Sequence, residues 1–231
     1  MGKRVAISQS NYIPWKGYFD LINTVDEFVL FDDMQYTRRD WRNRNKIRTP
    51  DGTQWLTIPV VVKGKYHQTI RETEVSDPQW GASHWGAIKH NYSRRPFFPA
   101  HRALLEELYF GGRETHLSQI NFRFLTAMCE VLGITTPMTW STDYGVIEGK
   151  TERLVDLCQK AGGTEYVSGP AAKDYIDPAV FADAGIALEY IDYSGYPTYE
   201  QVTEPFDHYV SVVDLILNTG PDAPSYMRSF G

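Results

Sequence analysis

Six of the chain's 23 basic residues, Arg38, Arg39, Arg42, Arg44, Lys46 and Arg48, fall within eleven positions, among them Trp41 and two asparagines. Side chains alternate faces along a strand, so Arg42, Arg44, Lys46 and Arg48 would line one side. Such a stripe can grip a diphosphate through bidentate guanidinium contacts. It can equally be a solvated hairpin face, or pair with Asp32 and Asp33. That acidic pair ends an apolar run over 27–31, where it could bind Mg²⁺, orient an amine or act as a general base. A carboxylate pair there is also an ordinary loop start or helix cap. Two further polar segments leave apolar runs: Gln9-Ser10-Asn11-Tyr12 and Ser168-Gly169-Pro170. The first continues through Pro14, Trp15, Gly17 and Tyr18. Gly17 at a helix start would let a ligand approach the backbone, and the helix N-terminus favours an anion. The alternative is that Pro14 and Trp15 simply staple the start of the helix.

These segments need a scaffold. An extended run over 3–9, a helix over 17–24 and a strand over 27–31 form a β-loop-α-β opening, which favours adjacent parallel strands. Pro50-Asp51-Gly52 between extended runs over 42–48 and 54–62 marks an inserted β-hairpin, since Pro presets φ and Gly accepts positive φ. Helical spacing runs over 80–92, 100–109 and 117–132. Alternation then returns: strands over 138–141, 165–167 and 187–191, and helices over 150–161, 170–175 and 209–217. The expectation is an α/β fold, a Rossmann-like, mostly parallel sheet within a single domain of 1–231. The hairpin and a helical insertion at about 80–132 interrupt it. In such a sheet, ligands bind beyond the carboxyl ends of the strands, where the three polar segments would converge.

Composition narrows the function. The formal charge of −6 argues against a dedicated nucleic-acid binder, though not against a local basic groove. No apolar run reaches the roughly 18 residues of a membrane span, and Val5-Ala6-Ile7 is too short for a signal-peptide core. Cys129 and Cys158 make no disulfide framework, which points to a reducing, cytoplasmic setting. The six histidines show no ligand spacing, so no metal site is expected, and His84 reads as structural. No nucleophile elbow, P-loop or dinucleotide fingerprint is present. Aromatic residues reach 14%, with 15 Tyr and 6 Trp. That suits either a Tyr-rich core and surface or a site for a polar ring such as a sugar or base.

Several stretches together carry a resemblance: 9–20, Phe31-Asp32-Asp33-Met34-Gln35-Tyr36, 41–47, 55–59, and Tyr166-Val167-Ser168-Gly169 with Ala172, Lys173 and Tyr175. Across nearly its whole length the chain resembles the WbqC-like family. It departs at Ser10, where many members carry Pro, and at Ser8, where some carry His. The resemblance implies a bacterial setting among genes for O-antigen and other surface polysaccharides of the lipopolysaccharide type. Members are described as glycine or acyl transferases acting on amino sugars. It also singles out Gln9, Asn11, Tyr12, Tyr18, Asp33, Arg42, Asn43, Arg44, Ser168 and Lys173 as family-pattern residues, with Gly169 beside them. A second resemblance is architectural. Strand, Pro14-x-x-Gly17-Tyr18, helix, then a strand ending in Asp is similar to the opening of nucleotidyltransferase and class I aminoacyl-tRNA synthetase-like folds, which show Gly-His where this chain has Gly17-Tyr18.

Three functions follow as expectations. The first is a transferase joining glycine or another acyl group to the amine of a nucleotide-linked amino sugar. Its partners are that sugar and an acyl or aminoacyl donor, its catalytic residues Asp33 and Lys173, and Asp33 takes the amine proton. The second is an ATP-dependent nucleotidyltransferase or ligase, with Ser168 and Lys173 on the phosphates and ATP and Mg²⁺ as cofactors. The third is a non-catalytic sugar-nucleotide-binding partner. No obligatory cofactor and no nucleic acid is expected, although tRNA as the donor stays open, as does a homodimer.

Overall fold

Val5-Ala6-Ile7 and Phe28-Val29-Leu30 are apolar at every position, as strands buried on both faces require. The computed structural model describes residues 2–145 and 147–231. It opens with β1 (Arg4–Ser8), α1 (Lys16–Asn23), β2 (Glu27–Leu30) and the hairpin β3 (Arg44–Thr49) and β4 (Gly52–Thr57). Helices α2 (Trp80–Tyr92), α3 (Phe98–Phe110) and α4 (Leu117–Leu132) form the insertion. Then come β5 (Met138–Trp140), α5 (Ser141–Tyr144), α6 (Thr151–Lys160), β6 (Glu165–Ser168), α7 (Pro178–Asp183), β7 (Ala187–Tyr190) and α8 (Val212–Thr219).

Five strands pair in parallel, in the order β5-β2-β1-β6-β7. The expected parallel neighbours β1 and β2 are in register from Val5↔Glu27 to Ser8↔Leu30. Alternation along these strands feeds two cores. Val5, Ile7, Val29 and Phe31 pack with Leu154, Cys158 and Phe181 from α6 and α7 on one face. Ala6, Phe28 and Leu30 pack with α1, the helical insertion and α8 on the other. Fully burying such a side chain contributes about 1.5–3 kcal/mol, so the two-faced sheet is the main source of stability.

The hairpin turns where expected, with Gly52 at φ +125° and pairing from Arg44↔Thr57 to Thr49↔Gly52. Ile47 and Leu56 point from it into the core. Some boundaries move. The second hairpin strand stops at Thr57 rather than continuing to Val62, because Pro59 has no N–H for a ladder. The last helix starts at Val212 rather than Tyr209, because the Ser211 hydroxyl accepts from Val213 N at 3.2 Å and caps it. Residues Pro170–Asp174 form a 3₁₀ turn. Helix α7 was not expected. Its start is encoded by Asp177, whose carboxylate accepts from Ala179 N at 2.9 Å, followed by Pro178.

Candidate functional site

Strand β1 meets β2 over four residue pairs but β6 over only two, Arg4↔Glu165 and Val5↔Tyr166. Beyond Val5 the two strands run on without laddering to each other. This is also where strand order reverses, since β2 and β5 lie to one side of β1 and β6 and β7 to the other. A sheet of this kind binds ligands at that point. The buried Tyr166 ring stacks on Phe181 with centroids 4.9 Å apart, and its hydroxyl donates to Ile7 O at 3.4 Å. Above this floor opens a crevice of about 530 Å³.

Each wall comes from a different element. Ser8 and Gln9 leave β1, Tyr18 and Leu21 project from α1, and Phe31 and Met34 follow β2. Ser168, Gly169 and Tyr175 follow β6, and Tyr193 follows β7. Gly149, Lys150 and Arg153 come from the start of α6, and Arg42 comes from the stem of the hairpin. Three cations thus face one crevice, and no Asp or Glu stands among its described walls. Arg153 is held by Ile147 O at 3.0 Å and the Met34 sulfur at 3.1 Å, with its guanidinium 5.7 Å from the Phe31 ring centre. The Arg153 charge is therefore aimed but not neutralised, whereas Arg42 Nη2 lies 3.7 Å from the Asp40 carboxylate outside the crevice walls.

Arg42 is fixed from several directions. Its guanidinium donates to Gln9 Oε1 at 3.0 Å and to Asn11 Oδ1, and its backbone carbonyl accepts from Asn121 Nδ2 at 2.9 Å. Gln9 O in turn accepts from the Tyr18 hydroxyl at 2.8 Å. Behind this loop lies Asp32, 1% exposed. It accepts from Ser10 N and Ser10 Oγ, both at 2.7 Å, and from the Ser118 hydroxyl. Burial pushes its carboxyl above the usual range, against the pull of these hydrogen bonds. Asn121 closes the network by donating to Ser10 Oγ at 3.0 Å. Asp32 is thus a positioning group behind the loop and is not open to solvent or metal.

Gln9, Tyr18, Arg42, Ser168 and Gly169 stand in the crevice, and Asn11 touches it through Arg42. The other expected site residues stand elsewhere. Tyr12 is fully buried, with its hydroxyl 2.9 Å from both His84 Nδ1 and Tyr109 Oη. His84 Nε2 lies 3.1 Å from Thr57 O, so Nε2 carries the proton and Nδ1 accepts from Tyr12. Burial lowers the His84 pKa to about 4, which keeps the ring neutral and structural. Asn43 donates to Ile58 O at 2.8 Å inside the core. Asp33 accepts from Ser141 Oγ at 2.6 Å, beside the wall residue Met34. Lys173 is exposed, with Nζ 5.1 Å over the Tyr190 ring. Neither Asp33 nor Lys173 lines the crevice.

Two expectations are corrected. The basic residues of the hairpin do not form one gripping stripe. Arg44 lies over the Trp55 ring at 4.3 Å, and Lys46 pairs with Asp207 at 2.8 Å. Arg48 donates to Thr203 O at 2.7 Å and Pro205 O at 2.8 Å. Only Arg42 turns to the crevice. Gly17 does not admit a ligand either, because a Cβ there would meet the Trp15 ring at 2.3 Å. Trp15 is itself packed by Tyr193, Tyr196 and Tyr209, so the start of α1 is closed by aromatic rings.

Sequence reasoning did not single out Lys150, Arg153 or Tyr193. A signal existed for the first two. Gly149-Lys150 opens an amphipathic helix, and Arg153 lies three residues on, hence on the same face as Lys150. Among the described residues no group of three or more His, Cys, Asp or Glu is placed to hold a metal ion. No described helix is long and apolar enough to cross a membrane.

Comparison with known proteins agrees with the resemblance. The chain is 51% identical over 226 residues, 98% of each chain, to a Mycobacterium tuberculosis protein named "Uncharacterized protein Rv1507c". No solved structure matches it. The pattern of one family spans residues 9–226, and by that match the chain belongs to the WbqC-like protein family.

Proposed function

We propose that the chain is a group transferase of surface-polysaccharide biosynthesis that binds a nucleotide-linked amino sugar in the crevice and receives glycine or another acyl group onto the sugar's amine. The observation that carries this reading is the approach of Arg42, Lys150 and Arg153 to one crevice without a described acidic wall residue. A diphosphate supplies the negative charge such a site needs, and Arg42 offers the planar donor pair that matches it. Tyr18, Tyr175 and Tyr193 give rings against which a base or sugar can lie. In the transfer, the neutral amine forms a C–N bond to the acyl carbonyl, the donor's leaving group departs, and the amine gives up a proton. Asp33 adjoins the wall residue Met34 in sequence, and this reading assigns it that proton, while Lys173 follows the wall residue Ala172. Both cysteines are buried and unpaired, which suits a reducing cytoplasm.

Strand order and the β-loop-α opening favour one other reading, an ATP-using nucleotidyltransferase or ligase with Ser168, Gly169 and Lys150 around the phosphates. Thermal unfolding separates the two, since a ligand that binds only the folded chain raises the melting temperature. UDP- or dTDP-linked amino sugars should raise it in the wild type and not in Arg42→Ala. A rise with ATP·Mg²⁺ alone transfers the assignment to the adenylating reading, and no rise with any nucleotide removes both.

A further inference from the structure

The basic hairpin is left largely unused by the crevice, which takes only Arg42. Residues 35–67 carry eight Lys and Arg against two Asp, a net +6 within a chain whose total is −6. The remainder of the protein is therefore strongly acidic, and this segment is a separate electrostatic region.

The fold gathers its exposed members on one surface. Trp41 and Trp55 are 41% and 44% exposed, with ring centroids 5.4 Å apart. The Arg44 guanidinium lies over Trp55 and donates to the carbonyl of Arg39. Arg38, one residue back, donates to Val62 O at 3.3 Å, and Gln35 to Tyr66 O at 2.8 Å. These bonds tie the hairpin stem to the loop that carries Lys63, Lys65 and the 77% exposed Tyr66. Between them runs a groove of about 440 Å³ whose walls include Arg38, Lys65 and Tyr66 and no acid among the described residues. At the other end of the surface, Trp41 is followed directly by Arg42, which turns into the crevice.

Exposed rings interleaved with the cations Arg38, Arg39 and Lys65, the last of which also meets Glu74 at 3.2 Å, match one class of ligand closely. Unpaired bases stack on aromatic faces while phosphates follow the positive groove. A duplex keeps its base faces covered and cannot use the rings. We infer that the surface formed by Arg38, Arg39, Trp41, Trp55, Lys65 and Tyr66 binds single-stranded nucleic acid, with one end of the strand led past Trp41 towards the crevice. The acidic total charge, which argued against such a partner, averages over two regions of opposite sign. This inference is independent of the ligand assigned to the crevice.

The test uses the full chain and a fluorescently labelled, mixed-sequence 12-nucleotide RNA, with anisotropy read at 50 and 200 mM salt. The same strand as a duplex, and heparin, serve as competitors. The expected result is saturable binding that weakens at least tenfold across that salt range. The double variant Trp41→Ala/Trp55→Ala should weaken it at least fivefold, and Arg38→Ala/Arg39→Ala should flatten its salt dependence. All four substituted residues are solvent-exposed and none lines the crevice, so both variants should unfold cooperatively and the response to nucleotide sugars should not change. Absence of binding at 50 mM salt overturns the inference. So does equal competition by duplex and heparin combined with full binding by the tryptophan variant, which identifies plain charge attraction.

Discussion

Arg42 and Gln9 lie 33 residues apart, yet Arg42 Nη2 donates to Gln9 Oε1 at 3.0 Å across the mouth of the crevice. The bond links the hairpin stem to the end of the central strand, and Asn11 accepts from the same guanidinium. With the side chain only 17% exposed, the charge is held in one place before any ligand arrives. A preorganised cation binds an anion without first losing rotamer freedom.

Arg42→Ala should therefore weaken nucleotide binding at least tenfold, about 1.4 kcal/mol or more. Arg42→Lys should not restore it, because an ammonium cannot bridge Gln9 and Asn11 while presenting a planar fork to a phosphate. Titration calorimetry on both variants checks this. Affinity recovered by lysine means that charge alone was needed.

Asp32→Asn tests the network behind the loop. An amide nitrogen would face Ser10 N and the Ser10 and Ser118 hydroxyls, leaving buried donors unmatched. A loss of about 1–3 kcal/mol is expected in urea unfolding. Binding should fall as well, because Ser10 also receives Asn121, which holds the Arg42 carbonyl.

Gly17→Ala separates packing from helix propensity. Alanine is favoured over glycine in a helix by about 1 kcal/mol, so propensity alone makes the variant more stable. The Trp15 ring leaves no room for the Cβ, and a net loss of about 1–3 kcal/mol is expected instead. A stabilised variant contradicts the packing described at the start of α1.

His84 sets an acid limit. Its folded pKa of about 4 lies below the unfolded value of about 6.5, so the unfolded chain binds the proton more readily. The stability tied to neutral His84 is present above pH 6.5 and is lost as pH falls towards 4. At pH 5 the loss is about 2 kcal/mol relative to neutral pH. Unfolding curves for His84→Gln should fall less steeply between pH 7 and 5 than those of the wild type.

The elements were legible where local chemistry decides them. Pro50-Asp51-Gly52 places the hairpin, and the spacing of Trp85, Ile88 and Tyr92 places α2. Their positions follow from backbone preference and period. The fate of Lys46 and Arg48 was not legible, because alternation assigns a face and not what covers it. Their partners, Asp207 and the carbonyls of Thr203 and Pro205, arrive from more than 150 residues away. Part of the crevice was legible, through Gln9, Ser168 and Gly169 after strand ends and through Tyr18 and Arg42 in the polar and basic stretches. Lys150 and Arg153 were not, because α6 follows β5, which two strands separate from β6 in the sheet, and local pattern does not say that its first turn reaches the same opening.

Recognition of a diphosphate by the crevice is the centre of the proposed function. Titration calorimetry of UDP and of uridine, on the wild type and on Arg42→Ala/Arg153→Ala, tests that directly. UDP should bind the wild type at least tenfold more tightly than uridine, and the double variant should bind both alike. Equal affinity of the wild type for UDP and uridine, or undiminished UDP binding by the double variant, contradicts it.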